Sequence, residues 1–269
     1  MKFIAEIGWN FIGDMALAKR MVVAAKEAGA DYAKFQVWDP KSLKPGPWDK
    51  DGRREIYEKA FLDDGRIKEL HEMCRQVGLG FFVSVFELDS LRRVANISTE
   101  VIKIPSHECV NWPLIDLALE TFNEVFLSVG ALDEMQLNEL IERYQKYENL
   151  VVLHCVSSYP LEIDRVNLPK LKFLREKFST VGYSSHFTGT IDAILACTLG
   201  ADYVEKHFTV DNNLPGRDNK FALLPDAFKS MIADAELARA AMVDCGLGMQ
   251  DCEADVATVM RGRWSKGVS

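Results

Sequence analysis

Eight short apolar segments recur along the 269-residue chain, and each is followed by a turn and then by apolar residues at helical spacing. This alternation predicts parallel strand and helix units, because parallel strands need a long crossover that is usually a helix. Eight such units fit a (β/α)8 barrel, which typically takes about 250 residues. The predicted strands span residues 3–8, 32–37, 80–86, 101–106, 124–129, 150–156, 180–185 and 203–208.

Helical segments separate these strands, and several end at the glycine that favours a helix C-terminus. They include residues 15–28, 64–77, 133–147, 168–177 and 191–199. A doubly wound open sheet has the same alternation, but the sequence after the first strand, Glu6-Ile7-Gly8-Trp9-Asn10, lacks the glycine-rich dinucleotide fingerprint. We therefore predict an α/β fold, a TIM barrel, as one domain over residues 1–269, with the barrel in about 1–250 and a C-terminal tail in 251–269.

Two loops are long enough to shape the mouth of this barrel. Residues 39–54 are rich in Pro, Lys, Gly and Asp, and residues 211–219 form a second excursion after the last strand. Long loops without regular structure in a compact domain are usually functional. We expect the first loop to cover the mouth.

Charge and hydropathy limit the partners of the protein. The net charge of −8 and the pI near 5.3 argue against a nucleic-acid or anionic-membrane surface, so an anionic substrate would need a local cationic pocket. An acid, Glu6, interrupts the first apolar segment, and no run approaches the ~18 apolar residues of a membrane span. We expect a cytoplasmic protein without a membrane partner, and six reduced, structural cysteines.

Polar residues stand at the C-terminal ends of the predicted strands, where barrel enzymes carry their chemistry. Successive residues of a strand face opposite sides, so residues two apart can face the barrel interior together. Interior lysines would then require carboxylate partners or bound anions such as a phosphate, because an unpaired buried ammonium costs several kcal/mol. The residues are Glu6, Lys34, Gln36, Ser84, Lys103, Ser106, Glu108, Ser128, Ser157, Tyr159, Ser184, His186, Glu205 and His207.

Several of these residues have two interpretations. His186 and His207, late in adjacent strands, fit either a shared divalent metal or two hydrogen-bonded structural histidines. Glu6 fits either an ion pair with Lys34 or Lys103, or catalysis. We do not assign His154 or His71 to the metal: we expect His154, inside an apolar strand, to be a core residue, and His71, in a helical segment, to be solvated.

Motifs in almost the whole predicted barrel resemble the sialic acid (nonulosonic acid) synthase family. Each motif is short, but together they follow the order of the family, which makes the set specific. They include Ala5-Glu6-Ile7-Gly8, Lys34-Phe35-Gln36, Lys103-Ile104, His154-Cys155, Gly182-Tyr183-Ser184 and Glu205-Lys206-His207-Phe208-Thr209.

The resemblance implies a (β/α)8 enzyme that condenses phosphoenolpyruvate with an N-acylated amino sugar, such as N-acetylmannosamine, to give a sialic acid and phosphate. It implies that His186 and His207 bind a divalent metal, usually Mn²⁺, with Mg²⁺ or Co²⁺ as alternatives, and that the enzyme is a homodimer. Glu6 would be the general base that activates water.

The resemblance also implies which residues meet each substrate. The phosphoenolpyruvate positions are Lys34, Ser84, Lys103, Ser106, Ser128, Ser184 and Ser157, where the family usually has Asn. The positions that face the sugar are Gln36, Glu108, Tyr159 and Asp218.

The sequence departs from the family pattern at Phe11, where the family has His; at Ser185, where it has Asp; and at Arg217, where it has Pro. Arg217 suggests a more anionic or differently decorated sugar. Family members also carry a C-terminal antifreeze-like (SAF) domain that donates an arginine to the sugar, and this sequence ends about where that domain would begin. Arg217 or Arg263, or a separate SAF-domain polypeptide, would then replace that arginine, or the original substrate has been lost.

Two alternatives to a sialic acid synthase stay open. One is a synthase for another sugar acid, of the legionaminic or pseudaminic type or a shorter keto-sugar acid. The other is a barrel that keeps the anion pocket but serves as a non-catalytic partner subunit.

Overall fold

A computed structural model describes residues 1–264 of the chain and shows a closed barrel of eight parallel strands in sequence order. Closure is made by the first strand, which pairs with both the second and the last. The predicted TIM barrel is therefore confirmed. The strands are β1 (Lys2–Gly8), β2 (Tyr32–Val37), β3 (Gly80–Val85), β4 (Val101–Ile104), β5 (Glu124–Ser128), β6 (Leu150–Cys155), β7 (Thr180–Ser185) and β8 (Tyr203–His207).

Helices follow the strands and form the outer layer. The five predicted helices are present with ends within a few residues of those expected, because caps such as Asp14, Asp63 and Asp133 accept hydrogen bonds from the first turns. The helices are α1 (Met15–Glu27), α2 (Arg53–Lys59), α3 (Asp64–Val77), α4 (Leu88–Ala95), α5 (Trp112–Thr121), α6 (Glu134–Tyr144), α7 (Pro169–Arg175), α8 (Ile191–Thr198) and α9 (Pro225–Ala240).

Two strand and loop boundaries differ from the prediction. Strand β4 ends at Ile104 rather than at residue 106, because Pro105 has no N–H to continue the ladder and a 3-10 turn, Ser106–Glu108, follows. The predicted loop 39–54 contains two 3-10 turns, and its end forms the start of α2 at Arg53.

The segment after α9 consists of turns and short helical pieces, and most of its side chains are exposed up to Trp264. Residues 265–269 of the predicted tail lie outside the described residues. Within residues 1–264, every helix is too short or too polar to cross a membrane. All six cysteines are free thiols; Cys74, Cys109, Cys155 and Cys197 are buried, whereas Cys245 and Cys252 are exposed.

The barrel interior has an apolar lower layer and a polar upper layer. Period-two geometry links them, because on most strands an apolar side chain of the lower layer is followed two residues later by a polar one that also faces inward. Thus Ile4 precedes Glu6 and Tyr203 precedes Glu205. The same relation holds for Tyr32 and Lys34, Phe82 and Ser84, Val101 and Lys103, and Phe126 and Ser128.

Gly182 is the smallest interior member of this lower layer. Its register partners are Leu153 on β6 and Tyr203 on β8. A Cβ at Gly182 would lie 2.5 Å from the Tyr203 carbonyl oxygen and 2.6 Å from Leu153 Cδ2. The close packing of Leu153 and Tyr203 beside this position therefore requires glycine at residue 182.

We predict that Gly182→Ala lowers the free energy of unfolding by about 1–3 kcal/mol, because the added methyl meets backbone that cannot move without breaking strand pairing. Urea unfolding followed by circular dichroism measures the change. Gly248→Ala is the matched control, since a Cβ there meets nothing within 4 Å, and it should stay within about 0.5 kcal/mol of the wild type. Equal stability of the two variants would contradict the packing argument.

Candidate active site

A cavity of about 590 Å³ opens at the C-terminal ends of the strands. It contains all the predicted site residues except Ser157: Glu6, Lys34, Gln36, Ser84, Lys103, Ser106, Glu108, Ser128, Tyr159, Ser184, His186, His207, Arg217 and Asp218. Ser157 does not line it; its Oγ is buried and has no hydrogen-bond partner within residues 1–264. This location follows the rule that barrel enzymes place their sites at this end.

Four buried charged residues, Glu6, Lys34, Lys103 and Glu205, form the floor of the cavity, and we call them the charge cluster. Lys34 Nζ lies 2.6 Å from Glu6 Oε2 and 3.7 Å from Glu205 Oε1. Lys103 Nζ lies 2.6 Å from the same Glu205 oxygen. Each lysine therefore has a carboxylate partner, which is one of the two solutions that the sequence required for interior lysines.

The two carboxylates of the charge cluster have different environments. Burial raises the pKa of Glu6, although Lys34 and a hydrogen bond from Gln36 Nε2 (2.7 Å) oppose the shift. Burial also disfavours the charge of Glu205, but Lys103 and Lys34 outweigh it and the pKa of Glu205 is lowered. Glu6 is therefore the stronger base of the two.

Hydroxyl groups line the cavity beside the charge cluster. Ser184 Oγ donates to Glu205 at 3.1 Å, and Ser106 Oγ accepts from the Gly130 N–H at 3.1 Å. Ser84 Oγ makes only a long contact, 3.4 Å, to the Phe35 carbonyl. The Ser128 Oγ is buried and has no hydrogen-bond partner within residues 1–264. These donors and two lysines are suited to an anion with several oxygens.

The rings of His186 and His207 lie side by side, with centroids 5.5 Å apart. His186 Nδ1 lies 2.9 Å from the Val156 carbonyl, which can only accept, so Nδ1 carries the proton and Nε2 keeps its lone pair. Burial lowers the pKa of His186 to about 4, and burial with the neighbouring His186 lowers the pKa of His207 well below its usual range. Both rings are neutral at pH 7, as metal ligands must be.

The residues fit a divalent metal with two protein ligands. His207 Nδ1 is buried without a hydrogen-bond partner in residues 1–264, and a metal is one way to satisfy such an atom or its ring partner. No cluster of three or more Asp, Glu, His or Cys ligands occurs in that part of the chain. Water and substrate would therefore have to complete the coordination of a metal here.

The outer half of the cavity has an aromatic wall made of Trp9, Trp38, Tyr57 and Phe86. Tyr57 contacts the edges of both tryptophans, with centroids 4.9 Å from Trp9 and 5.0 Å from Trp38. Gly216 has a φ of +103°, and a Cβ there would lie 2.6 Å from the Trp9 ring. Glycine is thus needed for the 211–219 loop to close on this wall.

Charged residues at the mouth are mainly acidic. Two cations, Lys44 and Arg217, face four acids, Asp39, Glu87, Glu108 and Asp218. Arg217 lies 4.6 Å above the Tyr159 ring, and its Nε is 3.2 Å from Asp218 Oδ1. Asp218 therefore offsets the charge that Arg217 brings, and the arginine does not by itself make the mouth favour anions.

Several residues that line the cavity were not predicted from the sequence. Sequence reasoning listed Glu205 among strand polar residues but gave it no site role, although it stands two residues before His207. Three residues of the aromatic wall, Trp9, Trp38 and Phe86, directly follow β1, β2 and β3, and this position at the strand ends is the signal that could have found them.

Of the two histidines kept out of the metal site, the environment of one was predicted correctly and that of the other was not. His154 is a core residue, as predicted, and is 2.8 Å from the Val166 carbonyl. The prediction for His71 was wrong: it is half-buried and stacks on Phe81.

Comparison with known proteins identifies the family. The model of the NeuB family matches residues 21–245. The chain belongs to the NeuB family. It is 35% identical to the pseudaminic acid synthase of Helicobacter pylori over 245 residues, covering 86% of this chain and 72% of the relative. It is 32% identical to the N,N'-diacetyllegionaminic acid synthase of Campylobacter jejuni over 257 residues, covering 90% and 77%.

A solved NeuB-like structure agrees with the fold. The N-acetylneuraminic acid synthetase of Leptospira borgpetersenii superposes with a TM-score of 0.85 at 28% identity, covering 96% of this chain and 92% of that one. The predicted resemblance to sialic acid synthases is therefore confirmed at the level of the family.

We predict that Glu205→Gln lowers the free energy of unfolding at pH 7 by about 3 kcal/mol, because it leaves Lys103 buried without its carboxylate. Chemical denaturation of the purified variant measures this loss. Asp89→Asn is the control: it removes one carboxylate from the exposed Arg92 pair, and its effect should stay below about 0.5 kcal/mol. Similar losses in both variants would show that the charge cluster is not desolvated.

Proposed function

We propose that the protein is a sugar-acid synthase that condenses phosphoenolpyruvate with an uncharged N-acylated hexose. The observation that supports it best is the juxtaposition of an anion-binding floor, two neutral imidazoles and an aromatic wall in one cavity of a NeuB family barrel. Phosphoenolpyruvate would take the floor, with Lys34, Lys103 and the serines at positions 84, 106, 128 and 184 around its phosphate and carboxylate. The sugar would take the mouth, against Gln36, Glu108, Tyr159 and Asp218.

The reaction forms one carbon–carbon bond and, at C2, replaces the carbon–oxygen bond to the phosphate with a carbon–oxygen bond to water. C3 of phosphoenolpyruvate attacks the sugar aldehyde carbon, whose oxygen takes a proton, and C2 becomes an oxocarbenium-like centre. Water adds to C2, and phosphate leaves with its bridging oxygen, so that C2 becomes a ketone. Of the two protons that the water loses, one balances the proton taken up by the sugar oxygen and the other leaves with the phosphate. The products are a sugar acid and inorganic phosphate.

Glu6 is the residue that we assign to water activation. It lies on the cavity floor, and burial raises its pKa, which makes it a stronger base than an exposed carboxylate. Lys34 and Gln36 hold its two oxygens and so fix the orientation of the carboxylate. Both lysines of the charge cluster lie where they would stabilise the negative charge of the leaving phosphate.

His186 and His207 would hold a divalent metal, which we propose to be Mn²⁺. The metal, when bound, supplies Lewis-acid polarisation of the aldehyde. The Val156 carbonyl fixes the ring of His186 in the tautomer that this requires, and Tyr159 packs on the same ring with centroids 4.0 Å apart. Such outer partners orient metal ligands and support their affinity.

Three further properties remain proposals. We propose a cytoplasmic homodimer, in which Arg217, Arg263 or a separate SAF-domain polypeptide meets the acyl group of the sugar. Sedimentation equilibrium tests the dimer, and cell fractionation tests the location. Purification of the tagged protein from its native cells, followed by identification of a co-purifying SAF-domain polypeptide, tests the second chain.

We expect phosphate release from phosphoenolpyruvate with N-acetylmannosamine or a 2,4-diacetamido hexose in the presence of Mn²⁺. Glu6→Gln should lower kcat about 10²- to 10⁴-fold, because it removes the base and keeps the shape of the side chain. A colorimetric phosphate assay measures both. Asp89→Asn on the surface is the control and should keep the wild-type kcat.

Phosphoenolpyruvate labelled with ¹⁸O in the bridging position tests the bond that breaks. Label in the released phosphate is expected, whereas label in the sugar acid would contradict carbon–oxygen cleavage. If no phosphate is released with N-acetylmannosamine or with any 2,4-diacetamido hexose tested, the result would contradict synthase activity and favour a non-catalytic partner subunit.

We predict that a sugar 6-phosphate is a poorer acceptor than its unphosphorylated counterpart by at least about tenfold in kcat/KM, because the mouth has more acids than cations. Glu108→Gln should reduce this discrimination, since it removes one acid from the mouth. Glu134→Gln, on an exposed position of α6 outside this cavity, is the control and should leave the ratio unchanged. A wild-type enzyme that prefers the 6-phosphate would overturn the proposed acceptor class.

A further inference from the structure

A second buried polar cluster lies outside the barrel, behind the strand ends that carry the two imidazoles. Its members are Tyr183 and Ser185 on β7, Lys206 on β8 and Asp192 on α8, and we call them the outer network. All four are almost inaccessible to solvent, with at most 2% of their surface exposed. None of the four lines the cavity, and the proposed reaction uses none of them.

Lys206 is the centre of the outer network. Its Nζ donates to Ser185 Oγ at 2.8 Å and to the carbonyls of Phe187 and Gly189 at 2.6 and 2.8 Å. It also forms an ion pair with Asp192, 3.3 Å from Oδ1. One ammonium group thus joins β8, the end of β7, the segment that leads from His186 to α8, and α8 itself.

Asp192 completes the outer network from the helix side. It accepts from the Tyr183 hydroxyl at 2.9 Å and from the Ser185 hydroxyl. Ser185 Oγ in turn accepts from the Phe187 N–H at 3.2 Å. Every polar group of the cluster therefore has a partner, which is the condition under which a buried polar network rigidifies its surroundings.

The strand register puts the outer network directly behind the metal candidates. Ser185 and Lys206 are register partners; His186 directly follows the end of β7, and His207 is the last residue of β8. Alternation turns the side chains of Ser185 and Lys206 toward α8 and those of the histidines toward the cavity. Contacts that hold the backbone of Ser185 and Lys206 therefore also hold the backbone positions from which the two histidine side chains extend.

Stability alone is a weak reason for this arrangement. A buried ion pair contributes little compared with apolar side chains of similar size, which fill most of the surrounding layer. The ion pair instead constrains geometry. An ammonium group that contacts oxygen atoms of four residues keeps its contacts only when the strand end, the following segment and the helix hold fixed relative positions.

We propose that the outer network positions the imidazoles of His186 and His207, holding them at the spacing that a shared divalent metal requires. Lys206, Asp192 and Ser185 are positioning residues, and they act through the backbone rather than by contact with the metal. The metal part of this inference rests on the proposed function.

The first test measures Mn²⁺ affinity by electron paramagnetic resonance in Asp192→Asn and Ser185→Ala, which keep the approximate shape of the side chains. We expect Mn²⁺ affinity to fall about tenfold, as for other residues that orient metal ligands. Phosphoenolpyruvate affinity without metal, measured by calorimetry, should stay within about twofold, because Ser184 and Glu205 are paired with each other between β7 and β8 and Lys103 holds the Glu205 carboxylate independently of the outer network.

Tyr144→Phe is the matched control. It removes a buried hydroxyl that donates to Asp116 at 2.7 Å, on α6 and outside the cavity, and should change neither affinity. Unchanged Mn²⁺ affinity in both network variants, or equal loss of both affinities, would overturn the proposal.

The second test needs no metal. Spectra of protein with ¹³C-labelled histidine rings report His186 and His207 directly, and both signals should shift or broaden in Asp192→Asn while His71 on α3 stays unchanged. Ring signals identical to the wild type would overturn the positioning role. If the wild-type protein binds no Mn²⁺, the proposed metal fails, and these spectra still decide whether the network holds the two rings.

Discussion

The interior of this barrel holds four charges in a space nearly closed to water, and the rest of the structure follows from how they are balanced. Two lysines and two glutamates come from β1, β2, β4 and β8, which only a closed cylinder can bring together. An unpaired member would cost several kcal/mol, so closure and charge balance depend on each other. The same arrangement forms the floor of the cavity, where we propose that phosphoenolpyruvate binds, and sets Glu6 apart as the stronger base.

The sequence was enough to predict the barrel, because eight strand patterns and a period of two are local properties. It also predicted most of the polar residues that line the cavity, because many of them follow an interior apolar residue two positions earlier on the same strand, as Glu6, Lys34 and Lys103 do. Pairing was harder to predict: Lys103 and Glu205 are 102 residues apart, and nothing local says which lysine a carboxylate will meet. The helical start at Arg53 and the half-buried His71 were missed because tertiary contacts, not local propensity, decide them.

The three departures from the family pattern have different structural meanings. Phe11 is fully buried in the layer between strands and helices and packs edge-on against Phe35, away from the cavity. Ser185 faces the helix layer, where Asp192 supplies the carboxylate that the strand does not carry. Arg217 reaches the mouth, but Asp218 balances it. None of them removes a group from the charge cluster or from the histidine pair.

The alternation of inward and outward residues on β7 and β8 limits how such a barrel can vary. Deleting one strand residue would send an imidazole into the helix layer and an ammonium into the interior, so these strands tolerate exchange of side chains but no change of length. Changes of length are better tolerated in the loops that border the mouth, such as 39–54 and 211–219, and new acceptor preferences can arise there. An engineer who grafts loops between relatives can redirect the sugar while leaving the bond-forming residues untouched.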